Sequence, residues 1–151
     1  MIGGGSDNTV ENNIFVEGAP AVHVDARGLG WASFWFNGKD NTLIEGLKAM
    51  HYQEPSYSSR YPQLLTLYAE PDTAVAKDNY IVRNVSYGGK WLDLRDGMTD
   101  KIIHIQDNFT ADDPGFVDAE HGNFQLRDDS PVYKLGFKRI PMEQIGPRPA
   151  R

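Results

Sequence analysis

"DNTVENNIFVEG", residues 7–18, and "DNYIVRNVSYGG", residues 78–89, decide the fold. Aligned without gaps, they match at Asp7/Asp78, Asn8/Asn79, Asn13/Asn84 and Gly18/Gly89, a separation of 71 residues. Apolar positions coincide at Val10/Ile81, Ile14/Val85 and Val16/Tyr87. A weaker third copy, "KIIHIQDNFTAD" at 101–112, puts Ile105 and Asn108 where Val10 and Asn13 stand. Each copy is a short β-branched run bounded by Asn, Asp and Gly turn formers. One such strand cannot bury its apolar side, whereas stacked copies bury a continuous inner column. Asn suits a repeated bend, because it tolerates unusual backbone angles and its amide can bond to its neighbour in the next copy. The pattern predicts an all-β chain, a parallel β-helix of few coils at 7–28, 78–97 and 101–126. A β-sandwich with Asn-rich turns is the competing arrangement, but there the shared Asn positions would be coincidence.

Between the first two coils lies an insertion, residues 29–77, partly helical from about 37. Leu43, Leu47 and Met50 have helical spacing, with Asp40 or Asn41 as N-cap. A second helical stretch is expected around Leu64 to Tyr68, with Pro62 in its first turn. The tail, residues 127–151, is punctuated by Gly and Pro and is expected to cap the stack, hiding a strand edge that would otherwise invite aggregation. The opening "MIGGGS" offers one large apolar residue after Met1, Ile2, and then three glycines. It is expected to leave the first coil uncapped, as in a protein whose stack continues on the N-terminal side. A homo-oligomer, most simply a dimer, is therefore expected through residues 1–20.

The chain has 151 residues, enough for a single domain with a real core. Its formal net charge of −6 argues against nucleic acid or an anionic membrane as partner. Cysteine is absent, so neither disulfides nor thiolate chemistry are available. No apolar run approaches the ~18 residues of a membrane span. No phosphate-binding glycine loop, His/Cys metal cluster or Gly-x-Ser-x-Gly elbow is present.

"NNIFVEG", "HVDARGLGW", "SSRYPQL", "DNYIVRNVSYGGKW" and the closing "DNFTADDPGFVD", "NFQLRDDSPVYKLGFKRIP" and "IG" together resemble the C-terminal part of bacterial right-handed parallel β-helix repeat proteins. These belong to the pectate-lyase-like superfamily and the glycoside hydrolases of that fold. The resemblance covers nearly the whole chain. It implies a right-handed coil, further coils on the N-terminal side, a carbohydrate substrate such as a plant or algal polysaccharide, and a secreted or periplasmic setting. The sequence itself shows no secretion segment and leaves the compartment open.

The residues propose their own site. Aligning Gly28 with Gly97 lays "VHVDARG" over "WLDLRDG", so that His23, Asp25 and Arg27 oppose Leu92, Leu94 and Asp96. By strand alternation the three polar residues share one face, about 6–7 Å apart. They are either a substrate-facing array or the polar outer face of a half-buried strand. For hydrolysis, Asp25 is the first choice of carboxylate and Asp93 the next. For a lyase, Arg27 is the candidate base, with His23 as the alternative. Trp31, Arg60, Tyr61 and Trp91 are candidates for stacking on sugar rings. Trp31 and Trp35 also fit a small core that fixes the insertion in place, which is the preferred reading of the two. His51 and His104 are read as structural. No cofactor is expected. Asp112, Asp113 and Asp118 would hold Ca²⁺ only if they converged with backbone oxygens, and turn capping suits their irregular spacing better.

Overall fold

A computed structural model describes residues 1–146; residues 147–151, the last part of the expected tail, lie outside the described residues. The described chain is mostly sheet, with ten strands and two α-helices, and its repeat-derived strands pair in parallel. It folds into two compact units. One comprises Met1–Asn8, Val22–Asn79 and Asp93–Ile103, the other Thr9–Ala21, Tyr80–Leu92 and the chain from His104 onward.

In the second unit the repeat is realised as parallel pairing. Strand β2 (Thr9–Glu11) pairs with β5 (Tyr80–Val82), and β5 with β8 (His104–Gln106), in the register Val10–Ile81–Ile105. Beyond the bend, β3 (Ile14–Gly18) pairs with β6 (Val85–Gly89), setting Ile14 beside Val85 and Gly18 beside Gly89. The bends share one device. Asn12, Arg83 and Asp107 adopt left-handed backbone angles, with φ between 52° and 57°, and each is followed by an asparagine. Those asparagines form a ladder. Asn84 Oδ1 accepts from the N–H and Nδ2 of Asn13 at 3.1 and 3.0 Å, and Asn108 Oδ1 accepts from those of Asn84 at 3.0 Å each. Asn84 is 1% exposed, and the network satisfies its amide where an unpaired polar group would be costly.

The third copy departs from the expected coil. Its first half, β8, pairs in parallel, and past the bend a single parallel bridge sets Phe109 beside Val85; the chain then turns into an antiparallel hairpin of β9 (Phe116–Asp118) and β10 (Asn123–Leu126). Aromatic packing decides this. Phe116 meets Tyr87 and Phe124 edge-on, and with Leu126, Val132 and Phe137 it closes the core against Val85. The tail follows: Asn12 Nδ2 donates to the Lys138 carbonyl, and the Lys138 N–H donates to Asn12 Oδ1, at 3.1 and 2.6 Å.

In the first unit, β1 (Ile2–Gly3), β4 (Val22–Asp25) and β7 (Leu92–Arg95) form one sheet in that order. Here "MIGGGS" behaves differently from expectation. Ile2 is buried and Ile2–Gly3 pairs in parallel with Val24–Asp25, so the glycine-rich opening covers one edge of β4. A second, two-rung ladder joins Asn8 to Asn79, whose Oδ1 accepts from the N–H and Nδ2 of Asn8 at 2.9 Å each. The insertion carries α1 (Thr42–Ala49) where its spacing predicts a helix. Asp40, one residue before the Asn41 cap, accepts the Thr42 N–H at 2.7 Å, and the hydrogen bonds from Thr42 hold its carboxyl below the usual carboxylate range. A second helix, α2 (Pro55–Arg60), precedes the predicted one. The stretch at Leu64–Tyr68 makes only a short 3₁₀ turn ending at Leu65, the helical course being broken at Tyr61 and Pro62.

Candidate functional site

Strand β4 alternates as its sequence predicts. Val22 and Val24 are buried at 3% and 0% exposure, which turns His23 and Asp25 to the opposite face. Asp93, on the neighbouring strand β7, joins them there. His23 Nδ1 lies 2.9 Å from Asp93 Oδ2, and His23 Nε2 lies 3.2 Å from Asp25 Oδ2. The glycine alignment had set His23 against Leu92. The side chains show the strands offset by one residue from that alignment, which brings Asp93 rather than Leu92 or Leu94 onto the face of His23.

Two arginines close the array. Arg27 Nε donates to Asp25 at 3.1 Å to Oδ1 and 3.4 Å to Oδ2, and Arg95 Nε donates to Asp93 Oδ2 at 2.7 Å. Arg95 is absent from the sequence-derived site. Its signal was the Asp-x-Arg spacing, which occurs at Asp25/Arg27 and again at Asp93/Arg95. Gly3 also takes part. A Cβ there would fall 2.3 Å from Arg27 Cζ, so the bare glycine of β1 gives the guanidinium its resting place beside Asp25.

The chemistry follows from the imidazole. A neutral histidine has one donor and one acceptor nitrogen, while a carboxylate only accepts. Both hydrogen bonds of His23 form together only when both ring nitrogens carry protons or one carboxyl does. The array thus sets one imidazole between two arginine-linked carboxylates, an arrangement in which a single added proton would complete both hydrogen bonds. The side chains of His23, Asp25 and Asp93 retain 21%, 14% and 12% exposure, enough for a ligand to reach them.

The other candidates are placed separately. Trp31 is 65% exposed, which overturns the core role preferred for it; it touches Trp35 edge-on at 6.1 Å between ring centroids. Arg60 and Tyr61 are exposed at the end of α2. Trp91 belongs to the second unit, where it packs on Phe15 at 6.2 Å. His104 stacks flat on Tyr80 at 4.3 Å, and exposed His51 bonds to Glu54. Asp113 caps a turn by accepting the Gly115 N–H at 2.7 Å, Asp118 bonds to His121, and Asp112 is exposed. Among the described residues, no group of three or more His, Asp or Glu could hold a metal ion, and no helix is long and apolar enough to cross a membrane.

Compared with known proteins, the chain matches no protein-family model, no curated protein and no solved structure.

Proposed function

We propose that this chain is a carbohydrate-active module built as a right-handed parallel β-helix, and that it acts on plant or algal polysaccharide as a glycoside hydrolase or in the manner of a polysaccharide lyase. The β-helix reading is supported by parallel pairing of sequence copies in constant register and by asparagine rungs at the bends. The activity rests on one observation: His23, Asp25 and Asp93 converge from two strands on a half-open face, each ring nitrogen of His23 within hydrogen-bond distance of a carboxylate.

Hydrolysis needs a proton delivered to the glycosidic oxygen as the carbon–oxygen bond breaks, and a water whose oxygen adds to the anomeric carbon as it loses a proton. Both carboxylates are salt-linked to arginine, so His23 is the group suited to hand over the first proton, and Asp25 or Asp93 the group suited to take the second. In an elimination the roles change, and the neutral imidazole of His23 is the group suited to act as base. Arg27 is held on Asp25 and stays charged. The exposed face of Trp31 is available for stacking on a sugar ring.

A screen of polysaccharides and aryl-glycosides tests this, comparing the natural chain with His23→Gln and Asp25→Asn. Turnover that falls on the order of 10²–10⁴-fold in the variants is expected. Absence of turnover by the natural chain across the panel refutes the enzymatic reading. A second reading, a non-catalytic sugar-binding or assembly module, is favoured by the completeness of the array, in which each ring nitrogen and each carboxylate already has a partner. Binding to a glycan array without turnover would support it.

A further inference from the structure

The Asn13–Asn84–Asn108 ladder has a direction. Each rung gives its backbone N–H and side-chain Nδ2 to the Oδ1 of the next, at 3.0–3.1 Å. The ladder therefore ends differently on its two sides. Asn13 Oδ1 receives no donor among the described residues, whereas Asn84 Oδ1 and Asn108 Oδ1 each receive two. At the other end, the Asn108 N–H has no acceptor among the described residues, whereas those of Asn13 and Asn84 do. The strands repeat this. In the column Val10–Ile81–Ile105 the middle residue is 0% exposed and the outer two are only half-buried. Strands β2 and β8 are the outer strands of their sheet, so each has one edge with no neighbouring strand among the described residues. What one end lacks the other supplies, in the same register.

We infer that the chain self-associates head to tail. The β8 edge and Asn108 of one copy dock in parallel on β2 and Asn13 of a second copy. Ile105 then lies beside Val10, Gln106 beside Glu11, and the Asn108 N–H bonds to Asn13 Oδ1, continuing the spacing seen inside the chain. A two-fold contact between β2 edges would set like against like and leave both ladder ends open. Because the hairpin β9–β10 packs on Tyr87, the docking edge is confined to β8 and its bend. The contact is small, and the association is accordingly weak. A head-to-tail contact of this kind does not close on itself, so it yields short open chains. The inference is independent of any activity at His23.

Sedimentation velocity of the whole chain, from micromolar to millimolar concentration, tests it. The expected result is a continuous series of species that grows with concentration. Gln106 is exposed and stands outside the ladder, so its variants leave the fold intact, which circular dichroism verifies. Gln106→Glu sets like charge beside Glu11 of the neighbour and should weaken association about three- to fivefold, while Gln106→Lys should strengthen it by a similar factor. Asn13→Leu, which removes the waiting acceptor, should weaken it about tenfold. A monomer at every concentration overturns the inference. So does a discrete dimer indifferent to the charge at residue 106, which would mean a two-fold contact.

Discussion

Asn84→Leu tests the ladder as the element that holds the second unit together. Asn84 Oδ1 accepts two hydrogen bonds from Asn13, and its Nδ2 donates to the carbonyls of Val10 and Val82 and to Asn108 Oδ1, at 2.9–3.1 Å. Leucine removes all of these and keeps water out of the space. The bond to the Val82 carbonyl is fully buried, and leaving that group unpaired costs about 1–3 kcal/mol. The four remaining partner groups are only part-buried and recover some hydration, at about 0.5 kcal/mol each. The whole comes to roughly 3–5 kcal/mol. Asn13→Leu, at the half-exposed end rung, should cost only about 1 kcal/mol. Urea unfolding measures both, in a chain carrying Trp31→Phe and Trp35→Phe so that Trp91 of the second unit is the fluorophore. The midpoints should move while the denaturant slope stays constant. If Asn84→Leu costs less than about 1 kcal/mol, or the two substitutions cost the same, the ladder is an ornament of the fold and the reasoning fails.

Gly89→Ala should destabilise more sharply than an ordinary surface change, by about 2 kcal/mol or more, because φ is +66° and a Cβ would stand 2.2 Å from the Gly18 carbonyl oxygen; thermal unfolding reads this directly. Gly3→Val should push the Arg27 guanidinium off Asp25 with little effect on the fold, which NMR of the arginine Nε–H and the His23 ring would detect as shifts confined to the array. The carboxyls of Glu70 and Asp72 are held below the usual carboxylate range, chiefly by hydrogen bonds from Lys77, whose own value is raised. Depressed carboxyls contribute stability that is present above their unfolded values near pH 4 and is lost as pH falls through the folded ones. In Lys77→Met, an NMR titration should find both carboxyls returned upward; unchanged titration would discount the cluster. Ser130→Ala removes a buried hydroxyl that donates to the Pro114 carbonyl at 2.6 Å and accepts the Val132 N–H, and should cost about 1–2 kcal/mol in urea unfolding.

What was legible in the sequence is what repeats. The offset of 71 residues fixed the parallel partners and their register, because matched Asn and Gly at bends have no other common cause. The third copy was legible as far as Phe109, which still bridges Val85 in parallel. After it the chain follows Phe116 and Phe124, whose pairing with Tyr87 depends on three-dimensional fit and leaves no periodic trace. At the site, alternation placed His23 and Asp25 on one face, but aligning Gly28 with Gly97 put the neighbouring strand out by one residue. With side chains alternating at period two, such a slip exchanges the leucine face for the Asp93 face. Gly3 carried no signal at all, since a glycine shows its purpose only when Arg27 is seen lying over it.

The long interval between the paired copies has a kinetic meaning. Joining β2 to β5 closes a loop of 71 residues, whereas joining β5 to β8 closes one of 24. Closure entropy grows only with the logarithm of length, so the longer loop costs about 1 kcal/mol more than the shorter. The equilibrium scarcely registers the insertion, and a stack of this kind can host one at modest cost. The order of assembly is another matter, because distant contacts are slow to form. We expect the segment from Tyr80 to Asn108 to gather first, with the opening strands arriving last on a template already made.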